Sequence, residues 1–183
     1  MNTPDAPRPD SVRLALPAEA AQIAGIQRDA WRELGGGVAE ALLTSKVDEV
    51  AAVWEQAIMR PPDPRCRVLV AVASGPRDRV VGFATTQPAD DEDADPSTDA
   101  LIGEFAISPL ARGEGHGSRL MHAVVDTLRA DRFTRALYWV VSADDARRTF
   151  FTESGFGYDG AHRAIGPDDE SVQLKQLRLH TLI

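Results

Sequence analysis

Three features of this 183-residue sequence predict a mixed α/β fold. Apolar, β-prone runs and amphipathic stretches follow one another in the order β-α-α-β-β-β-α-β-α-β-β. No internal repeat or linker divides that series, and the length suits one domain with a sizeable core. A glycine-rich segment stands at one of the strand-to-helix junctions, where an α/β sheet places ligands.

The elements read in order as follows. "VRLAL" at 12–16 is a first strand, and Pro17 opens a helix, a position where its fixed φ fits. Ala20, Ile23, Ile26 and Ala30 keep one apolar face through to Trp31, and the glycines at 35–37 end that helix. A second helix is expected over 38–59, with Val47, Val50, Val53, Trp54 and Ile58 on its buried face, stopped by "RPPDP" at 60–64. "RVLVAVAS" (67–74) and "VVGFATTQ" (80–87) form a hairpin across "GPRDR". "ALIGEFAIS" (100–108) is a further strand, ending at Pro109. A helix over 116–129 turns Leu120, Met121, Val124, Val125 and Leu128 inward, and "ALYWVVS" (136–142) is strongly β-prone. "DDARRTFFTES" (144–154) is helical and stops at Gly155, and an extended piece begins at Phe156. "SVQLKQLRLHTLI" (171–183) alternates as a final strand, with a bulge expected near Lys175 and Gln176.

Composition narrows the function. The net charge of −8 argues against general nucleic-acid binding, which needs a basic footprint. Five of the negatives, Asp90, Asp91, Glu92, Asp93 and Asp95, sit in one stretch, leaving about −3 elsewhere. Such a block reads as a solvated, mobile loop, with attraction of cationic substrates as the alternative. No apolar run approaches the ~20 residues of a membrane helix. Cys66 is the single cysteine, so no intramolecular disulfide is available. "MNTPDAPRPDS" lacks the pattern of a signal peptide and reads as a Pro-rich, disordered lead-in over residues 1–10. The expected organisation is therefore that lead-in and one cytoplasmic domain over 11–183.

The glycine segment carries the chemistry. "SPLARGEGHGSRLM" (108–121) places Gly113, Gly115 and Gly117 just where a helix begins. The first N–H groups of a helix lack internal partners and carry about half a positive charge, so an anion docks there. Glycine lets a ligand approach the backbone closely, and Arg112 adds a cation. The spacing is neither G-x-G-x-x-G nor a Walker loop.

With those residues in view, "ISPLARGEGHGSRLM" resembles motif A of the GNAT superfamily of acyl-CoA-dependent N-acyltransferases. That motif is Gln/Arg-x-x-Gly-x-Gly/Ala, matched by Arg112, Gly115 and Gly117. "VRLALPAEAAQIAGIQRDAW" resembles the family's first strand and helix. "DDARRTFFTESGFGYDG" resembles its later Asn-x-x-Ala-x-x-Phe-Tyr-x-x-x-Gly-Phe motif. The resemblance implies a twisted, mostly antiparallel sheet of about seven strands, with a splayed parallel pair and about four flanking helices. It implies acetyl-CoA as cosubstrate, with pantetheine amides near Ile107 and the pyrophosphate on backbone N–H groups of Arg112, Gly113, Glu114, Gly115, His116, Gly117 and Ser118. Asp144 and Phe151 occupy further cofactor-facing positions of the family.

An alkyl amine of pKa near 10.4 costs about 4.6 kcal/mol to deprotonate at pH 7, so a base is expected. Glu104 is the candidate, sharing a strand face with Ala106 and Ser108; the alternative is a salt-bridged or solvent-facing glutamate. The family's proton-donating Tyr is replaced by Phe151. Tyr158 is the first substitute, with Ser154, His116 or water as others. Asp144 stands where the family has Asn and cannot donate as an amide does. His122, His162 and His180 suggest surface or packing roles, and no spacing suggests a metal site. Trp31 and Trp54 belong to the core or to walls of the acceptor pocket. The expected function is N-acetyl transfer from acetyl-CoA to a primary amine, on a small molecule or a protein. The alternative is an acyl-CoA-binding module with little turnover. Acetyl-CoA and the amine are the expected partners, without nucleic acid or membrane, and a homodimer is an allowed assembly.

Overall fold

A computed structural model of the protein describes residues 10–166 and 173–183. Residues 1–9 of the expected lead-in, and 171 and 172 of the expected last strand, lie outside the described residues. The elements are β1 (Ser11–Leu14), a 3-10 turn (Pro17–Glu19), α1 (Ala20–Leu34), α2 (Gly36–Leu43), α3 (Val47–Met59), β2 (Arg67–Ala73) and β3 (Arg79–Pro88). They continue with β4 (Asp99–Ile107), α4 (His116–Ala130), β5 (Arg135–Val141), α5 (Asp145–Glu153), β6 (Gly157–Ile165) and β7 (Leu174–Leu182). The seven strands form one sheet in the order β1-β2-β3-β4-β5-β7-β6. Only β4 and β5 run parallel, and the other neighbours are antiparallel.

The core has two faces, divided by the period-two alternation of the strands. Leu69 and Ala71 of β2 join Leu120, Val124 and Leu128 of α4 on one face. Val70 and Val72 join Ile23 and Ile26 of α1 and Val50 and Trp54 of α3 on the other. β2, β3 and β4 are thus covered by helix on both sides, which explains their near-continuous apolar sequences, while the outer face of β5 packs Leu137 against Ala89 and Leu101.

Three expectations are corrected. The single helix over 38–59 is two, which brings the α-helices among the described residues to five. The break falls at Thr44–Lys46, where the Thr44 hydroxyl donates to the Ala41 carbonyl and the Glu49 carboxylate accepts from Lys46 N at 3.0 Å. These bonds satisfy backbone groups that a continuous helix would have used. The bulge expected at Lys175 and Gln176 is absent there, since both pair in register with β6. The register shift lies instead between Tyr158 and His162, where Gly160 has φ of 91°. The acidic stretch is not free in solvent. Asp93 and Asp159 grip the buried Arg178, and the Trp139 Nε1–H donates to Asp91 at 3.1 Å.

Candidate active site

β4 and β5 pair only over Asp99–Ile102 and Arg135–Tyr138. Past that vertex β4 continues toward the glycine segment paired with β3 alone, its other edge open. Beside that open edge lies a cavity of about 510 Å³, walled by Phe105 and Ile107 of β4 and by Ala146, Arg147 and Phe150 of α5. The glycine segment closes its far side through Gly113, Gly115, Gly117 and Ser118.

The glycines there have distinct causes. Gly113 and Gly115 adopt φ of 79° and 80°, a region that side chains disfavour. Gly115 is the N-cap of α4, so the turn aims the first N–H groups of that helix outward. Gly117 has ordinary φ, but a Cβ there would stand 3.3 Å from the Phe150 ring. The cradle therefore pairs an open helix N-terminus with a close approach between α4 and α5. An anionic, elongated thioester such as acetyl-CoA fits that donor set.

Arg112 does not point a free charge into the cavity. Its guanidinium is forked onto Glu33, at the end of α1, at 2.8 and 2.7 Å, and its Nε donates to the Ile107 carbonyl at 3.3 Å.

Near the vertex, β4 carries a bulge. Ala84 pairs with Phe105 but Thr86 with Ile102, so Gly103 and Glu104 together face Thr85. Glu104 N–H donates to the Thr85 hydroxyl at 2.9 Å, and a Cβ on Gly103 would stand 2.8 Å from that oxygen. The extra residue resets the alternation. Ile102 and Phe105 both join the α4 face, while Ala106 joins the α1 face. Glu104 shares that second face and meets Gln27 of α1, whose Nε2 donates to it at 3.4 Å. Gln27 is itself oriented by the Trp54 Nε1–H, which donates to its Oε1 at 2.7 Å. Burial raises the Glu104 pKa above the usual carboxylate value, against the opposing pull of Arg147 and the Gln27 bond.

Two residues join Glu104 at this vertex. Charge attraction links Arg147 to the Tyr138 hydroxyl. The Arg147 Nε also lies 3.3 Å from Asp144. Burial works against the Arg147 charge, but Tyr138, Asp144 and Glu104 outweigh it and hold its pKa above the ordinary value. Burial is likewise the largest influence on Tyr138 and raises its pKa. Its ring stacks on Phe151 with centroids 3.9 Å apart and planes at 3°.

Comparison with known proteins gives this site its context. The model of the acetyltransferase (GNAT) family matches residues 26–158. The chain belongs to the GNAT acetyltransferase family. Membership makes it an acyltransferase, with acetyl-CoA as the family's donor. Among solved structures, an N-acetyltransferase from Staphylococcus aureus Mu50 aligns over 96% of this chain and 99% of its own, at 16% identity and a TM-score of 0.72. A ribosomal-protein-alanine N-acetyltransferase from Brucella melitensis aligns over 94% and 99%, at 17% identity and a TM-score of 0.69. The yncA protein of Salmonella typhimurium, solved with its cofactor acetyl-CoA, aligns over 96% and 94%, at 17% identity and a TM-score of 0.67. At these identities the likeness is one of fold. No curated protein matches the chain in sequence.

The residues singled out by sequence divide into two groups in this GNAT chain. Ile107, Arg112, Gly113, Gly115, Gly117, Ser118 and Asp144 line the cavity. Glu104, Glu114, His116, Phe151 and Tyr158 do not line it, Glu104 lying beside the cavity-lining Phe105 on the opposite face of β4. The Glu114 carboxylate turns outward, 3.3 Å from the Nε2 of His116, and the His116 ring is buried against Arg119. Phe151 is fully buried in the core. Tyr158 is half-exposed on β6, paired with Leu179. Arg147 and Tyr138 were not singled out. Arg147 had a signal, because it stands at the small Ala of the motif Asn-x-x-Ala-x-x-Phe-Tyr. Tyr138 had none beyond a β-prone run.

Proposed function

We propose that the chain moves the acetyl group of acetyl-CoA onto a primary amine, by direct attack of the amine nitrogen on the thioester carbonyl. Glu104 takes the amine's proton. The observation that carries this reading is the β4 bulge, which sets Glu104 beside the vertex of β4 and β5 and next to the cavity-lining Arg147. Its raised pKa makes it a stronger base than an exposed carboxylate, and an amine near pKa 10.4 needs about 4.6 kcal/mol to become neutral at pH 7. The cradle at 113–118 holds the pyrophosphate on backbone N–H groups, and the β4 backbone near Ile107 meets the pantetheine.

The test is thiol release from acetyl-CoA over a panel of amines, from polyamines and amino sugars to peptide N-termini. Glu104→Gln is expected to lower kcat/KM about 10²–10⁴-fold with little change in acetyl-CoA affinity. The acidic limb of the pH–rate profile should disappear in the same variant. Acetyl-CoA binding without thiol release on any amine would favour a binding module and sink the proposal.

A further inference from the structure

We propose that Gln27 is the positioning residue for Glu104: held by Trp54 with its amide nitrogen toward the carboxylate, it engages Oε1 and leaves Oε2 to take the amine's proton. The carboxylate's task in this proposal rests on the acetyl-transfer reading above. The three side chains come from three elements, Trp54 from α3, Gln27 from α1 and Glu104 from β4. Gln27 and Trp54 are 8% and 9% exposed. The Trp54 ring meets Phe83 of β3 edge-on, with centroids 5.1 Å apart and planes at 72°, and this contact fixes the direction of its N–H.

The indole decides which way the amide faces. An indole nitrogen donates and cannot accept, so the Trp54 N–H at 2.7 Å requires the oxygen of the Gln27 amide. The amide nitrogen is thereby turned to Glu104 Oε1, 3.4 Å away. The opposite orientation would set N–H against N–H at Trp54 and oxygen against oxygen at Glu104. Both neighbours select the same orientation, and in it Gln27 can only donate toward Glu104. A donor favours the ionised carboxylate, the stronger acceptor, over the carboxylic acid. Among the described residues no hydrogen bond reaches Glu104 Oε2, and the residue keeps partial exposure.

Glu104 needs this support because burial raises its pKa, and the groups that pull it back are Arg147 of α5 and Gln27 of α1. Tyr138 of β5 is the other titratable group that faces it. Arg147 acts by charge from the cavity side, and Gln27 by one bond from the helix side. Gln27 therefore helps to set the lower edge of the pH range in which Glu104 is free to accept a proton. The amine's N–H proton passes to Oε2, and the carboxylic acid so formed gives it up to water, which restores the carboxylate.

The experiment is a carbon NMR titration of the Glu104 carboxyl in protein carrying isotope-labelled glutamate, its signal identified by its absence in Glu104→Gln. It needs neither acetyl-CoA nor an amine. Gln27→Met keeps the length of the side chain and removes the donor, so the carboxyl should titrate about one pH unit higher than in wild type. Trp54→Phe keeps a ring against Phe83 and frees the amide to turn, and should move the carboxyl in the same direction. Added to Gln27→Met, Trp54→Phe should move it no further, because the indole acts on Glu104 through the amide alone. A pair with a packing role only would lower the melting temperature and leave the titration where it is. An unmoved carboxyl in both single variants overturns the proposal, and so does a Trp54→Phe shift that persists in full beside Gln27→Met. If Trp54→Phe fails to fold, Gln27→Met decides. In turnover, the acidic limb of kcat/KM should move with the carboxyl while the KM for acetyl-CoA holds. A carboxyl that moves as expected in a chain that releases no thiol with any amine overturns the acetyl-transfer reading and the carboxylate's task with it, whereas thiol release with an unmoved carboxyl overturns the role of Gln27 alone.

Discussion

A carboxyl group in a protein interior trades stability for reactivity, and Glu104 makes the trade measurable. Burial raises its pKa in the folded chain above the unfolded value of about 4.5. The folded state therefore binds more protons than the unfolded one just above that pH, and stability falls as pH rises through the raised value. Glu104→Gln keeps the shape and the acceptor for Gln27 while removing the buried charge. The variant should melt higher than wild type at neutral pH and lose that advantage near pH 4, in parallel thermal scans. An equal melting difference at both pH values would mean that packing, not ionisation, sets the cost. At this scale the sequence was half legible. Glu104 stood out as an acid on a strand leading to the glycines. Its partner Gln27 is 77 residues away, and the bulge that aims it depends on Gly103 meeting Thr85 across the sheet.

Elements with a strong local period were legible, and those held by distant partners were not. The apolar stripe of α4 and the β-branched runs of β2 and β5 announce themselves because their periods are written in adjacent residues. The segment between β3 and β4 looked like a solvated acidic loop because its anchor, Arg178, lies 85 residues from Asp93. Arg178 is 5% exposed and holds Asp93 at 2.6 and 2.5 Å and Asp159 at 2.6 Å. The Asp159 contact comes from the bulged stretch of β6, so the irregular strand and the acidic loop share one cation. Removing it leaves carboxylates facing one another without a counter-charge. Arg178→Met should cost about 1–3 kcal/mol and speed amide exchange at Ala94 and Thr98, whose N–H groups close the loop's own turns. The hydrogen bond from Arg178 holds Asp93 down to about pKa 2, below the usual 3.8. Its contribution is complete above pH 3.8 and fades as the pH falls toward 2, so wild type and variant should converge in that window.

On the scale of the whole molecule, an acidic protein of net charge −8 must bind an anionic cosubstrate. The topology separates the two. The acidic loop enters β4 at Asp99 and the cradle follows its other end at Ile107, eight residues along. At ~3.4 Å per residue that is about 27 Å, roughly three Debye lengths at physiological salt. The field at the cradle is therefore local: the first N–H groups of α4, the guanidinium groups of Arg112 and Arg147, and the carboxylates of Glu33 and Asp144 that line the same cavity. The glycines and Arg112 were legible as a ligand cradle because they sit together in the sequence. Glu33 was not, being 79 residues from the arginine it holds. That ion pair links the end of α1 to the cradle, and an incoming phosphate competes with Glu33 for the same guanidinium. Both partners are well exposed, 47% for Arg112 and 40% for Glu33, so the pair contributes no more than about 1 kcal/mol. Glu33→Gln removes the competing charge and should tighten acetyl-CoA binding by up to about fivefold at low salt, with the gain shrinking as salt screens the phosphate–arginine attraction. Calorimetric titration of wild type and variant at two ionic strengths measures this directly. Weaker binding in Glu33→Gln would give the carboxylate the opposite task, that of holding Arg112 in place for the ligand.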